Sequence, residues 1–163
     1  MEYAIVPMTE DERTAVVDIF NYYIEHGFAA YWATTVGYEV FDRFLALARD
    51  YVAVTVKTDA GETVGFAMLR AFHPADSFRH TAEITYFISP AHTGQGLGTR
   101  LLDHLSAAAR AMEITILLAS ISSRNEGSIR FHQKHGFIEC GRFRGIGCKR
   151  GQTFDMVWMQ KEL

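Results

Sequence analysis

The sequence predicts an α/β fold in which helices cover a mixed β-sheet. Two observations carry that expectation. Segments with apolar residues at helical spacing are interleaved with short strand-like runs, in the order β-α-α-β-β-β-α-β-α-β-β. No repeat, low-complexity tract or linker interrupts that order, so residues 1–163 are expected to form a single domain. A chain of 163 residues can bury a real core without disulfides or a structural metal.

Tyr3 to Pro7 reads as a short strand. Thr9 is an N-cap residue with Glu12 three positions on, the reciprocal capping-box pattern. Val16, Ile19, Phe20, Tyr23 and Ile24 then recur at helical spacing, and Gly27 is the expected stop. An aromatic and threonine-rich loop, Phe28 to Val36, leads to a second helix carrying Val40, Phe41, Phe44, Leu45 and Leu47. Tyr51 to Lys57 and Thr63 to Phe72 read as partner strands around the turn residues Asp59-Ala60-Gly61-Glu62. Pro74-Ala75-Asp76-Ser77 breaks the second, and Thr81 to Ser89 forms another strand that stops at Pro90. After a glycine-rich turn, Leu101, Leu102, Leu105, Ala108 and Ala109 define the apolar stripe of a helix. Glu113 to Ile121 is a strong β run, and Asn125 to His135 a short helix ending at Gly136. Phe137 to Phe143 and Phe154 to Met159 are the last two strands.

Composition narrows the function classes. A net charge of −3 argues against a nucleic-acid binder, which is usually basic. It leaves room for an anionic ligand, because oriented backbone dipoles bind phosphate without net basicity. Residues 1–15 lack the basic start and unbroken apolar core of an export leader, and no apolar run approaches a membrane span. A cytoplasmic setting is expected. Cys140 and Cys148 lack metal-ligand spacing and read as reduced packing residues. His132 and His135 share one helix, but no ligand cluster supports them, so no metal is expected.

The most informative segment is Ser89-Pro90-Ala91-His92-Thr93-Gly94-Gln95-Gly96-Leu97-Gly98-Thr99. Its glycines let several backbone N–H groups converge, and the helix that starts there adds unpaired amides and a positive dipole end. Together these suit a phosphate or pyrophosphate. The dinucleotide fingerprint fails because Thr99 stands where a third glycine is needed, and no Gly-Lys-Ser/Thr of a P-loop follows. On the residues alone, a phosphate cradle and a merely tight connection both remain open.

The segment resembles the acetyl-CoA motif of the GNAT superfamily of N-acetyltransferases, Gln/Arg-x-x-Gly-x-Gly/Ala, over Thr93-Gly94-Gln95-Gly96-Leu97-Gly98. Thr93 departs from the family's Gln or Arg, which moves the contact onto the loop backbone. Asn125-Glu126-Gly127-Ser128 and Phe131-His132-Gln133-Lys134-His135-Gly136-Phe137 match the following motifs in order. Tyr22 to Glu25, Glu83 to Ser89 and Gly147 to Gly151 resemble the phosphinothricin N-acetyltransferase group. The resemblance spans nearly the whole chain. It implies the GNAT fold, a mixed and mostly antiparallel sheet of about seven strands flanked by four helices, and a homodimer. It also implies acetyl-CoA as acetyl donor and a small-molecule amine as acceptor.

Residue by residue, the resemblance implies that Gln95, Gly96, Gly98 and Thr99 bind the pyrophosphate, with Arg100 close by. Ile88 would offer strand-edge hydrogen bonds to the pantetheine arm, with Asn125 and Ser128 on its other side; Asn125 suits helix capping equally. Glu83 matches the group's catalytic glutamate, a base for the acceptor's ammonium, although strand alternation alone would allow it a solvated face. An apolar strand would raise its pKa and so make it a better base. The amine would attack the acetyl carbonyl directly in a ternary complex, with a backbone N–H near Ile88 facing the oxyanion. His132 occupies the slot where many GNAT enzymes place a tyrosine acid, and could donate a proton to the thiolate, pack, or bind CoA.

For the acceptor, Tyr31 and Trp32 are candidate aromatic walls, and Phe72, Arg79 and His80 approach from before the catalytic strand, with Arg79 or His80 suited to an anionic group. Ala33-Thr34-Thr35-Val36 replaces the Glu-Pro-like segment of the herbicide-acetylating members, and Trp32 replaces their arginine. These departures point from phosphinothricin toward a methionine-sulfone-like or other small amino-acid analogue. The alternatives are a peptide or protein amine acceptor, or a non-catalytic acyl-CoA-binding module.

Overall fold

The computed structural model describes residues 2–163. Strand β1 (Tyr3–Pro7) is followed by a 3₁₀ turn and helix α1 (Arg13–Glu25), then α2 (Val40–Leu47) and strands β2 (Ala53–Thr58), β3 (Thr63–Ala71) and β4 (Thr81–Ile88). Helix α3 (Leu97–Ala111), β5 (Ile116–Ser122), α4 (Glu126–Lys134), β6 (Ile138–Lys149) and β7 (Gln152–Glu162) complete the order. Among the described residues, seven strands form one sheet in the order β1-β2-β3-β4-β5-β7-β6. Every neighbouring pair is antiparallel except β4 and β5.

The expected capping box forms: Thr9 donates from N–H and Oγ1 to Glu12 Oε2 at 2.6 and 2.8 Å. Glu12 is buried and also meets Lys57 Nζ at 2.7 Å, so the entry to α1 is pinned to β2. Strand alternation then divides the core between the two faces of the sheet. Ala67 and Leu69 of β3 pack with Leu101, Leu102 and Leu105 of α3. Phe66 and Met68 face the other way, against Val16, Phe20, Phe41 and Phe44 of α1 and α2.

The parallel pair positions the site. The β4–β5 ladder runs only from Thr81↔Ile116 to Glu83↔Leu118, yet both strands continue beyond it. Past Glu83 they diverge, and the sheet opens into a cleft.

The last two strands are longer than the sequence predicts. β6 and β7 meet at Arg150 and Gly151, both with positive φ (51° and 71°), a tight hairpin turn. β6 is an exposed edge interrupted by two register shifts, between Glu139/Gly141 and Phe143/Gly147, so its glycines hide the alternation. It also corrects the reading of the cysteines as packing residues: Cys140 and Cys148 are unpaired and exposed, because edge-strand side chains find no layer to cover them.

Candidate active site

A cavity of about 610 Å³ occupies the cleft between the diverging strands. Its walls include Arg70, Glu83, Tyr86 and Ile88 from β3 and β4, Ser120 from β5, and Tyr31 and Trp32 from the loop after α1. Thr93 and Gly98 contribute from the glycine loop, and Asn125, Ser128, Phe131 and His132 from α4 and its cap.

Glu83 sits where the parallel ladder ends, opposite Arg70 of β3. Arg70 donates from Nη2 to Glu83 Oε1 at 2.5 Å. The Glu83 side chain is only 12% exposed. Burial pushes its carboxyl above the ordinary carboxylate range, and the Arg70 charge and hydrogen bond work against that rise without cancelling it. The solvated alternative is therefore not the arrangement the fold adopts.

Ile88 presents its edge to the cleft. Ser89 N–H donates to Val64 O across β3 at 2.8 Å, so alternation turns the Ile88 N–H and C=O toward the side that β5 has left. The carbonyl accepts the Tyr23 hydroxyl at 2.5 Å, which fixes this stretch of β4 to α1.

The glycine loop lies at the mouth of the cleft. Gly94 and Gly96 hold φ of 74° and 76°, a left-handed conformation that favours glycine. Arg100 N–H is bonded to Gly96 O at 3.1 Å, the first turn of α3, so the amides of Leu97, Gly98 and Thr99 precede the helical ladder. Gly98 is needed for another reason. A Cβ there would meet the Phe131 ring at 3.2 Å and Ile88 Cδ1 at 4.0 Å, closing the gap between α3, α4 and β4. Thr99 Oγ1 bonds His135 Nε2 at 3.0 Å, and Arg100 donates to Tyr3 O at 2.8 Å, so both side chains brace the loop. Gln95, Gly96, Thr99 and Arg100 lie beside the cavity mouth rather than on its wall.

On the far wall, Asn125 caps α4 by accepting the Ser128 N–H at 3.3 Å while also lining the cavity. His132 Nδ1 lies 2.7 Å from Ser128 O, an acceptor only, so Nδ1 carries the proton. Nε2 is then the lone-pair nitrogen and accepts the Tyr86 hydroxyl at 2.5 Å. Burial lowers the His132 pKa and raises that of Tyr86 well above the usual phenol value, so both are neutral at physiological pH. The Tyr86 hydroxyl is thus the donor in this contact, with His132 behind it. Sequence reading did not single out Tyr86, which stands three residues along β4 from Glu83, on the opposite strand face.

Tyr31 and Trp32 line the cavity. Tyr31 stacks on Phe154 at 5.8 Å and its hydroxyl meets Ser120 Oγ at 2.6 Å. Trp32 packs edge-on to Phe20 at 5.3 Å. Phe72, Arg79 and His80 do not join them on the wall. The β3–β4 connection leaves from the outer end of both strands, where Phe72 packs on Phe78 and Trp158, and Arg79 and His80 are exposed. The arginines on the cavity wall are Arg70 and Arg43. Among the described residues no group of three or more His, Cys, Asp or Glu gathers to hold a metal.

A sheet split at its parallel pair, with a glycine-capped helix at the mouth and a buried carboxylate at the base of the split, has close counterparts. The pattern of the acetyltransferase (GNAT) family matches residues 16–137, and the chain belongs to that family. The L-methionine sulfoximine/L-methionine sulfone acetyltransferase of Salmonella typhimurium is 33% identical over 153 residues, 91% of this chain and 88% of that protein. The crystal structure of ribosomal-protein-alanine N-acetyltransferase from Brucella melitensis matches with a TM-score of 0.90 at 32% identity, over 98% of this chain and 99% of that one. A phosphinothricin acetyltransferase from Sinorhizobium meliloti, solved in complex with acetyl-CoA, matches with a TM-score of 0.93 at 25% identity, over 100% of this chain and 89% of that one.

Proposed function

We propose that this chain is an acetyl-CoA-dependent N-acetyltransferase acting on the amine of a small amino acid or amino-acid analogue, in a ternary complex. The observation that carries the reading is the buried Glu83 at the point where β4 and β5 part, in one cavity with the Ile88 edge and Gly98. A cavity of about 610 Å³ fits a thioester end and a small acceptor. The relatives named for L-methionine sulfone and phosphinothricin point to acceptors of that size.

The residues fit acetyl-CoA. The amides at the start of α3, with Gln95, Gly96, Gly98 and Thr99, suit the pyrophosphate, braced by Arg100. The gap that a Cβ at Gly98 would fill and the Ile88 N–H, on the side that β5 has left, suit the pantetheine arm, with Asn125 and Ser128 opposite. When bound, acetyl-CoA supplies the activated acetyl group. Glu83 takes the proton of the acceptor's ammonium, since a protonated nitrogen has no lone pair with which to attack. The Ile88 N–H lies at the edge where it can face developing negative charge on the acetyl oxygen. Tyr86, positioned by its hydrogen bond to His132, passes its hydroxyl proton to the departing thiolate as it takes up the surplus proton of the attacking nitrogen, so the phenol ends neutral.

Titration calorimetry with acetyl-CoA tests the donor site. Binding is expected in the wild type, and Gly98→Val should weaken it roughly tenfold or more, about 1.4 kcal/mol. Unchanged affinity in that variant would place the donor elsewhere. CoA release in the presence of L-methionine sulfone then tests the acceptor class.

The whole chain is read as one domain acting as a homodimer in the cytoplasm. Two unpaired exposed thiols suit a reducing compartment. Ile138, Phe143 and Ile146 lie 66%, 56% and 58% exposed along β6, an edge strand, and support pairing with a second copy. Sedimentation velocity is expected to show a dimer that Phe143→Glu with Ile146→Glu converts to monomer. A monomeric wild type would refute the pairing.

A further inference from the structure

The turn between β6 and β7 breaks a local rule. Lys149 pairs with Gln152, which leaves Arg150 and Gly151 as the two central residues, at φ of 51° and 71°. A hairpin turn with both centres left-handed favours Asn-Gly, because a short side chain such as Asn tolerates that conformation and a longer one is strained by it. Arg150 therefore sits against the preference of its own backbone, and a rule broken without local compensation points to a task for the side chain.

That side chain grips the loop after α1. Arg150 Nη2 donates to Ile24 O at 3.0 Å and to Gly27 O at 3.3 Å, and also to Glu25 O. Ile24 and Glu25 end α1, where carbonyls lack helical partners and a cation meets the negative end of the helix dipole. Lys149, one residue earlier, is 2% exposed and donates from Nζ to Ala30 O at 2.9 Å. Burial and the neighbouring Arg150 charge both disfavour its ammonium form, so a cation in this place needs a reason beyond ending a strand. Ala30 leads directly into Tyr31 and Trp32 on the cavity wall, and Tyr31 stacks on Phe154 of the same hairpin. The loop is thus held by its main chain on both sides of Gly27, whose φ of 103° makes the bend.

We propose that Arg150 and Lys149 are positioning residues for the acceptor: by holding carbonyls from residue 24 to residue 30 they set Tyr31 and Trp32 in the cavity, without touching the acceptor themselves. This rests on the acetyltransferase reading and names what fixes the shape of its acceptor side. Neither cation lies on the cavity wall. A grip on carbonyls is indifferent to the loop's side chains, so Tyr31 and Trp32 are free to fit the acceptor while the hairpin fixes where they stand. The donor end is built on other elements, the start of α3, the cap of α4 and the Ile88 edge. Loosening the grip should therefore act on the acceptor and spare acetyl-CoA.

Arg150→Asn separates the turn from the grip, since Asn suits the turn and is too short to reach the three carbonyls. Thermal unfolding should stay in place or move upward, because the turn gains its favoured residue. In steady-state kinetics with L-methionine sulfone at saturating acetyl-CoA, the acceptor KM should rise roughly tenfold or more, as expected when a positioning group is lost. Acetyl-CoA affinity by calorimetry should stay within about twofold. Arg150→Lys, which keeps a cation on a long stem, should recover part of the KM, and Lys149→Met, which keeps the stem and removes the donor, should raise it. Hydrogen exchange gives a readout that needs no turnover: amides of residues 27–32 should exchange several-fold faster in Arg150→Asn, and those of β4 and α3 at wild-type rates. The proposal is overturned if Arg150→Asn leaves the acceptor KM or the loop exchange as in the wild type. It is equally overturned if acceptor KM, acetyl-CoA affinity and Tm worsen together, the mark of a merely structural tie. If the wild type does not acetylate L-methionine sulfone while exchange at 27–32 still follows Arg150, the reading of the acceptor falls and the grip on the loop stands.

Discussion

Glu83→Gln is expected to lower kcat by roughly 10²–10⁴-fold, the range that a positioned general base contributes, while acetyl-CoA affinity stays within twofold or so of the wild type, since a twofold change is only about 0.4 kcal/mol. The replacement is nearly isosteric, and its amide oxygen can still accept from Arg70 Nη2, so the strands keep their register. What is lost is the ability to take a proton. The start of α3 and the Ile88 edge are untouched, which is why the two readouts should separate. The pH profile supplies a second test. Because burial raises the Glu83 pKa, the carboxylate is protonated at a higher pH than an ordinary one. The acid limb of kcat/KM should therefore lie above the usual carboxylate range, with rate lost as pH falls through it. That limb should vanish in Glu83→Gln, and in Arg70→Gln it should move to still higher pH, since the opposing charge is gone. Turnover unchanged in Glu83→Gln would sink the assignment.

Local features of the fold were legible because they are written in local spacing. Thr9 and Glu12 announce their capping box, Leu101 to Ala109 their helical stripe, and Gly94 and Gly96 their turn. Glu83 and Gly98 could be placed in a site by motif resemblance, and the splay between β4 and β5 gives that placement its physical sense. Arg70 was not legible. Its role depends on the cross-strand register that sets it against Glu83, and register is a tertiary property that neither strand's pattern contains. Tyr86 and His132 meet for a similar reason, since the parallel crossover through α3 and β5 brings α4 under β4. Phe72, Arg79 and His80 lie off the cavity wall. They lie near Glu83 in sequence, but β4 enters the cavity only after them. The full length of β6 and β7 escaped because Gly141, Gly145 and Gly147 supply bulges and room, not alternation. A Cβ at Gly147 would collide with the ring of Phe154, the residue on which Tyr31 stacks. That glycine thus leaves room for the ring behind Tyr31, from an edge strand the pattern rules do not detect.

Phe66→Ala should destabilise the protein by about 3–5 kcal/mol, the usual loss for a buried Phe truncated to Ala. Phe66 is fully buried on β3, stacked against Phe44 of α2 at 5.8 Å and tilted against Phe87 of β4 at 5.5 Å. These rings are held on every side: Phe20 of α1 meets both Phe44 and Phe87, at 5.3 and 5.4 Å, so the cluster has no simple way to collapse into the space. A cavity that stays open costs contacts as well as transfer free energy. For a chain of this size each kcal/mol lowers Tm by about 2–4 °C, so thermal unfolding should begin roughly 10 °C earlier. Phe66→Leu, which keeps most of the volume, should recover the greater part of that loss. The effect should also reach the site. Phe87 packs against Tyr23 at 5.4 Å, and Tyr23 holds the Ile88 carbonyl, so loosening Phe87 frees the strand edge proposed above for the pantetheine arm. Acetyl-CoA affinity should fall in Phe66→Ala at temperatures where the variant is still fully folded, whereas a loss of stability with affinity intact would mean that α1 holds Ile88 without help from the aromatic layer.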